Sequence, residues 1–129
     1  MAAYLADTHL LLWAASAPRR LGKAAADIIG DIGNEVLFSA ASIWEIAIKS
    51  SLGRSDFRVD AAVFAEALRT NGFTELPVRA VHAARVATLP ALHADPFDRI
   101  LVAQAQSEGV TLLTRDEAVA QYPGPIRLV

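Results

Sequence analysis

At 129 residues, 53% of them hydrophobic, the chain has enough length for one domain with one core and too little for two ordinary ones, so a single domain over 1–129 is expected. Its 14 acids and 12 bases leave a net charge of −2, which excludes a strongly basic DNA-coating protein and an acidic disordered tail alike. The absence of cysteine removes disulfides, thiolate zinc sites and cysteine nucleophiles together, and is compatible with a reducing cytoplasm.

Turn signals divide the chain into alternating short extended and longer helical segments. Tyr4-Leu5-Ala6 reads as a brief strand ending at Asp7, with a helical run from His9 to Ala15 that Pro18 stops. An amphipathic stretch from Leu21 to Ile29 ends among Gly30 and Gly33. Val36-Leu37-Phe38 then reads as a buried strand, with Ser39 or Ser42 as N-cap of a helix reaching about Leu52. Gly53 to Asp60 is a polar loop, followed by helical spacing from Ala61 to Leu68 and a strand at Phe73 to Leu76 that Pro77 closes. A helix from Val81 to Ala87 leads into a loop from Leu89 to Ala94. Asp95-Pro96 opens a helix to Glu108, with Gly109 placed to end it. Val110-Thr111-Leu112-Leu113 is the clearest strand, and Ile126 to Val129 a last one. This alternation predicts an α/β fold with a mostly parallel, helix-covered sheet. No apolar run approaches the roughly 20 residues a bilayer span needs, so a soluble cytoplasmic protein without membrane contact is expected.

Asp7, Glu45, Asp98 and Asp116 carry the chemistry. Each also has an ordinary structural role: Asp7 and Asp116 can cap the helices that follow their strands, a role worth about 1 kcal/mol. Glu45 can close a capping box with Ser42 or pair with Lys49 at i,i+4. Asp98 can be a first-turn acid behind the cap Asp95. The joint pattern goes further. With Ser39 as cap, Glu45 lies inside its helix, on one stripe with Ser42 and Lys49, while Ile43, Trp44, Ile46, Ala47 and Ile48 cover most of the remaining surface. A polar stripe on an otherwise apolar helix suits the lining of a cleft, although a narrow solvent-facing strip gives the same spacing. If the strands are parallel, the strand-to-helix handovers share one edge of the sheet and bring these acids together.

Gathered carboxylates repel one another unless a cation sits among them. Magnesium and manganese take oxygen ligands, and either can acidify a bound water and offset charge on phosphoryl oxygens, which is the chemistry of phosphodiester hydrolysis. In that scheme Asp7, Glu45 and Asp98 are the principal ligands, and Asp116 completes the site or orients a metal-bound water. No protein nucleophile is required, in keeping with a chain that has no G-x-S-x-G, H-E-x-x-H or phosphate-loop pattern.

The blocks Tyr4-Leu5-Ala6-Asp7-Thr8-His9 with Leu11, Leu12 and Trp13, Ser39 to Lys49, His93 to Ala105, and Leu112-Leu113-Thr114-Arg115-Asp116 resemble, in order and over essentially the whole chain, the signature blocks of PIN-domain nucleases. The resemblance is strongest to bacterial VapC-type toxins of type II toxin-antitoxin systems. It implies a PIN-like three-layer α/β/α fold with four to five short strands. It also implies a Mg2+- or Mn2+-dependent endoribonuclease, a homodimer, and a small VapB-type antitoxin that holds it inactive. Asp7, Glu45 and Asp98 match the three principal family acids, and Asp116 a fourth position that varies more.

Around these acids, Thr8, Ser42 and Thr114 offer hydroxyls to ligands or bound water, or serve only as helix-start and strand-end residues. Arg99 can contact phosphate or fix a carboxylate, or be a solvated surface arginine. Lys49 can approach the substrate or screen Glu45, and Arg115 belongs on the rim. His9, His82 and His93 match no zinc spacing and are set aside as core or surface histidines. Trp13 and Trp44 can stack on bases, but lie in apolar helical runs that favour core packing or a dimer contact. Lys49, Arg54, Arg58, Arg79 and Arg85 form a phosphate-tracking rim or an ordinary scatter. A phospho-receiver would need paired acids after the first strand and a later lysine where Arg115 stands. A phosphatase would show Asp-x-Asp where this chain has Asp7-Thr8-His9. A non-catalytic module that keeps the fold for binding, or a DNA-directed nuclease, remains as the alternative.

Overall fold

In a computed structural model describing residues 2–54 and 57–129, five strands form one parallel sheet: β1 (Ala3–Ala6), β2 (Glu35–Ser39), β3 (Thr74–Leu76), β4 (Thr111–Thr114) and β5 (Ile126–Leu128), in the order β3-β2-β1-β4-β5. The register pairs Leu5 with Leu37 and with Leu112, so the three central strands end together, and their C-terminal ends form one rim. Strands are added to one side of β1 as far as β3 and to the other side afterwards, which makes the end of β1 a topological switch point. Crevices open there.

The three central strands are buried on both faces toward their C-terminal ends, and their period of two sorts residues between two helical layers. Ala6, Val36, Phe38 and Leu113 pack against α1 (Thr8–Ser16), α2 (Gly22–Gly30), α3 (Ala40–Ser51) and α4 (Ala61–Thr70) through Leu10, Leu11, Ile28, Ile46, Phe64 and Leu68. Leu5, Leu37 and Leu112 face the other way, against α6 (Pro96–Glu108) through Leu101, Val102 and Ala105, with α5 (Ala80–Arg85) packed on α6 and α7 (Glu117–Ala120) beyond it. This is the expected three-layer architecture.

Acid and hydroxyl caps start the helices where the site is built. Asp7 caps α1, Ser39 caps α3, Asp95 caps α6 with Pro96 at its first turn, and Asp116 caps α7. Gly109 ends α6 at φ 67°, a left-handed conformation that glycine adopts without strain.

The structure corrects several expectations. Ser39 is the cap of α3, so Ser42 is an interior, buried residue. Pro18 ends α1 but opens a 3-10 turn over Pro18–Leu21 that runs straight into α2, because proline suits a first helical position. Trp44 is 62% exposed, with its ring edge-on to Phe97 at 5.2 Å, so it is not a core residue. In the expected loop from Gly53 to Asp60, Ser55 and Asp56 lie outside the described residues.

Candidate active site

The polar stripe of α3 is turned inward and part of its apolar side outward. Ser42 and Glu45 are buried beside Ile46, while Trp44 and Ala47 face solvent. The inversion follows from position: α3 packs against α1 and α6 at the rim of the sheet, where the neighbouring surface is polar. Glu45 Oε1 accepts the Thr8 hydroxyl at 2.6 Å, with Ser42 Oγ 2.9 Å from the same hydroxyl. Glu45 Oε2 lies 2.5 Å from Lys49 Nζ. Lys49 is itself enclosed, 4.8 Å from the Phe57 ring and 5.7 Å from the Phe97 ring, with Asp95 Oδ2 at 4.0 Å.

Asp7 enters from the end of β1. Its Oδ1 accepts the Leu10 N–H at 3.0 Å as a cap, and its Oδ2 accepts the Thr114 hydroxyl at 2.8 Å. Thr114 Oγ1 also accepts the Asp116 N–H at 3.0 Å, so one hydroxyl ties the end of β1 to the start of α7. Burial raises the Asp7 carboxyl above its ordinary range, against the opposing pull of Leu10 and Thr114. Capping and site membership, alternatives in the sequence, are both true of Asp7: one oxygen serves the helix and the other faces Thr114.

Asp98 stands in the first turn of α6. Burial, then the nearby carboxylates of Asp95, Glu45 and Asp7, push its carboxyl up to about 7, while a bond to His93 pulls the other way. Asp116 uses Oδ1 to cap α7, accepting from Ala118 at 2.8 Å. Its Oδ2 lies 3.6 Å from His93 Nε2, which is 2.9 Å from Asp98 Oδ2. Donor atoms of His93, Asp98 and Asp116 all lie within 4.8 Å of one another. Among the described residues, Lys49 is the one lysine or arginine that pairs with any of the four acids. A largely oxygen donor set with this much unbalanced negative charge fits a hard divalent cation.

A sequence model of the family described as PIN domain matches residues 4–125. The chain belongs to the PIN domain family. Ribonuclease VapC22 of Mycobacterium tuberculosis is 30% identical over 129 residues, covering 97% of this chain and 95% of that protein, and places this PIN domain with the VapC ribonucleases. In fold it is similar to VapBC2 of Rickettsia felis bound to a promoter DNA fragment, with TM-score 0.70 at 12% identity over 98% of both chains. VapC20 of Mycobacterium tuberculosis, a toxin that cleaves the sarcin-ricin loop, superimposes with TM-score 0.60 at 17% identity over 95% of this chain and 97% of that one.

Of the residues the sequence singled out around these acids, Thr8, Ser42, Lys49 and Thr114 all lie within the PIN domain's hydrogen-bond network. Arg99 does not bond the acids. Its guanidinium donates to the carbonyls of Pro90, Val86 and Leu89 and to the Tyr122 hydroxyl, which makes it a fastener of the loop before α6. Arg115 donates to the carbonyls of Arg20 and Leu21, closing the 3-10 turn. His93 is the residue the sequence reading set aside and the structure brings in. A test for zinc spacing could not find it. Its place two residues before the cap Asp95 was the available signal.

Proposed function

We propose that this VapC-family PIN domain is a Mg2+- or Mn2+-dependent endoribonuclease in which Asp7, Glu45, Asp98 and Asp116 hold the cation. The observation that carries the reading is geometric: at the switch point of the sheet donor atoms of Asp98, Asp116 and His93 lie within 4.8 Å of one another, and burial together with the carboxylates of Asp95, Glu45 and Asp7 pushes the Asp98 carboxyl up to about 7. Carboxylates gathered this closely attract a divalent cation, which offsets their mutual repulsion. When bound, the cation supplies an acidified water as nucleophile and a counter-charge for the phosphoryl oxygens.

The chain's own groups do the positioning. Thr114 and the Leu10 N–H fix both oxygens of Asp7, and Thr8 and Lys49 fix those of Glu45, so these two acids are oriented before any substrate arrives. Fixed acceptors avoid the cost of ordering flexible side chains during the reaction. Lys49 sets a positive group beside Glu45, where it screens that carboxylate and is available to a phosphate that meets the acids. His93 lies between Asp98 and Asp116.

Control by a small antitoxin of the VapB type belongs to the same reading, supported by similarity to toxin-antitoxin assemblies such as VapBC-1 of nontypeable Haemophilus influenzae, at TM-score 0.63 and 15% identity over 98% of this chain. Pairing of two copies is supported by exposed Trp44, which borders an apolar cavity of about 420 Å³ with Val78, Val86, Phe97 and Ile100. No helix among the described residues is long and apolar enough to cross a membrane. The deciding experiment compares the wild type with Asp7→Asn and Asp98→Asn on a mixed RNA pool with Mg2+, Mn2+ or chelator. Cleavage by the wild type alone, abolished by chelator, is expected; equal cleavage by all three proteins would trace the activity to a contaminant and sink the reading.

A further inference from the structure

The loop that carries His93 is more firmly built than a connector needs to be. Arg99 donates to its Leu89 and Pro90 carbonyls and to that of Val86 just before it and holds the Tyr122 hydroxyl at 2.9 Å, and that hydroxyl donates in turn to the His93 carbonyl at 3.2 Å. Tyr122 is buried, so the fastening is anchored in the core beneath α6 and α7. The result is an imidazole with Nε2 at 2.9 Å from Asp98 Oδ2 and 3.6 Å from Asp116 Oδ2. A single N–H can serve the first of these oxygens, but 3.6 Å is too long for a bond to the second. Without a proton, Nε2 presents a lone pair toward two carboxylates, an arrangement that repels unless a cation lies among the three atoms.

We propose that His93 Nε2 is a nitrogen ligand to a divalent cation held with Asp98 and Asp116. The inference rests on the metal-dependent reading above and adds to its all-carboxylate site a donor of a different kind. It divides the acids by neighbourhood: Asp7 and Glu45 are held by hydroxyls and Lys49, whereas Asp98 and Asp116 meet across His93. A nitrogen donor favours manganese over magnesium, because imidazole binds transition ions well and magnesium keeps to oxygen. The histidine thereby sets which ion the PIN domain takes. It must carry its proton on Nδ1 to do so.

Untagged full-length protein loaded with Mn2+ tests this by electron spin echo modulation, which detects nitrogen bonded to the ion. The wild type is expected to show a 14N coupling that changes to a 15N coupling when only histidine is labelled. His9, packed against Trp13 and Phe57, and His82, buried against Glu108, are turned to other partners. In His93→Gln the coupling disappears and Mn2+ binding in calorimetry weakens about tenfold or more, with a smaller loss for Mg2+. Wild-type protein that binds Mn2+ and cleaves RNA without a histidine nitrogen coupling overturns the inference and leaves the proposed function standing. Wild-type protein that binds neither ion overturns both. Because His9 is near enough to Asp7 to lower its carboxyl, a His9→Gln control that keeps the histidine coupling assigns the nitrogen to His93 even where His93→Gln fails to fold.

Discussion

The two halves of the acid cluster are built on opposite principles. At the α1–α3 side, Asp7 and Glu45 are buried and nearly every oxygen is engaged: Leu10 and Thr114 on one carboxylate, Thr8 and Lys49 on the other. At the α6–β4 side, Asp98 and Asp116 are more open and share one imidazole, and Asp98 carries a burial penalty and carboxylate repulsion that its bond to His93 offsets only in part. The first half is finished on folding. On the proposed reading the second is finished by the cation, and the contrast divides the work: the saturated pair would supply geometry and the frustrated pair affinity.

The sharpest way to break the contrast is Asp98→Asn. Removing the frustrated carboxylate should lower metal-dependent RNA cleavage by about a hundredfold or more, since a direct ligand is worth more than the supporting groups whose loss costs roughly 10- to 100-fold. The same substitution should stabilise the metal-free protein above neutrality. The folded pKa of Asp98, about 7, stands above its ordinary value of 3.8, so the folded state holds a proton that the unfolded chain has released. The associated stability is fully present below about pH 4 and is lost as pH rises through 7. In chelator, the wild type should therefore lose on the order of 2 kcal/mol between pH 5 and pH 8. Asp98→Asn should flatten that slope, and saturating Mn2+ should reverse it. Parallel slopes for wild type and variant in denaturant titrations would show that Asp98 is not strained.

On the saturated side the informative change is Thr8→Val, which keeps shape and removes one hydroxyl. Thr8 is buried, and its loss leaves Glu45 Oε1 and the adjacent Ser42 hydroxyl without their shared partner. A destabilisation of about 1–3 kcal/mol is expected from the unpaired buried groups. Its pH dependence should match the wild type, because Asp98 is untouched. Cleavage should fall less than in Asp98→Asn, with kcat affected more than KM, as a loss of positioning predicts. An equal collapse of activity would make both halves equally responsible for the ion.

Much of the saturated half was legible in the sequence, and the reason is local. Asp7 follows its strand directly, Ser39 caps its helix, and Ser42, Glu45 and Lys49 share a helical stripe, so period and capping rules find them. The direction of that stripe was legible only as a choice between cleft and solvent, because burial of Trp44 or of Glu45 is decided by what α1 and α6 present to α3. The frustrated half depends on contacts distant in sequence. His93 meets Asp116 across a loop, a helix and a strand, and Arg99 meets Tyr122 across 23 residues. Arg99 beside Asp98 looked like a carboxylate or phosphate partner, yet sequence neighbours on a helix point in different directions, and this one faces the loop.

That loop yields the smallest effect and the finest distinction. Arg99→Met keeps the aliphatic stem and removes donors from the carbonyls of Val86, Leu89 and Pro90 and from the Tyr122 hydroxyl. Part of the group is solvated, so the cost to stability should be about 1 kcal/mol. Lysine should rescue it poorly, since one ammonium cannot span carbonyls that a planar fork reaches together. If the loop serves to aim His93, Mn2+ affinity should drop several-fold while Asp7 and Glu45 keep their bonds, visible as unchanged amide shifts for Thr8 and Leu10 in NMR spectra. Shifts that move equally on both sides would mean that Arg99 supports the whole rim, and that the two halves of the cluster are mechanically one.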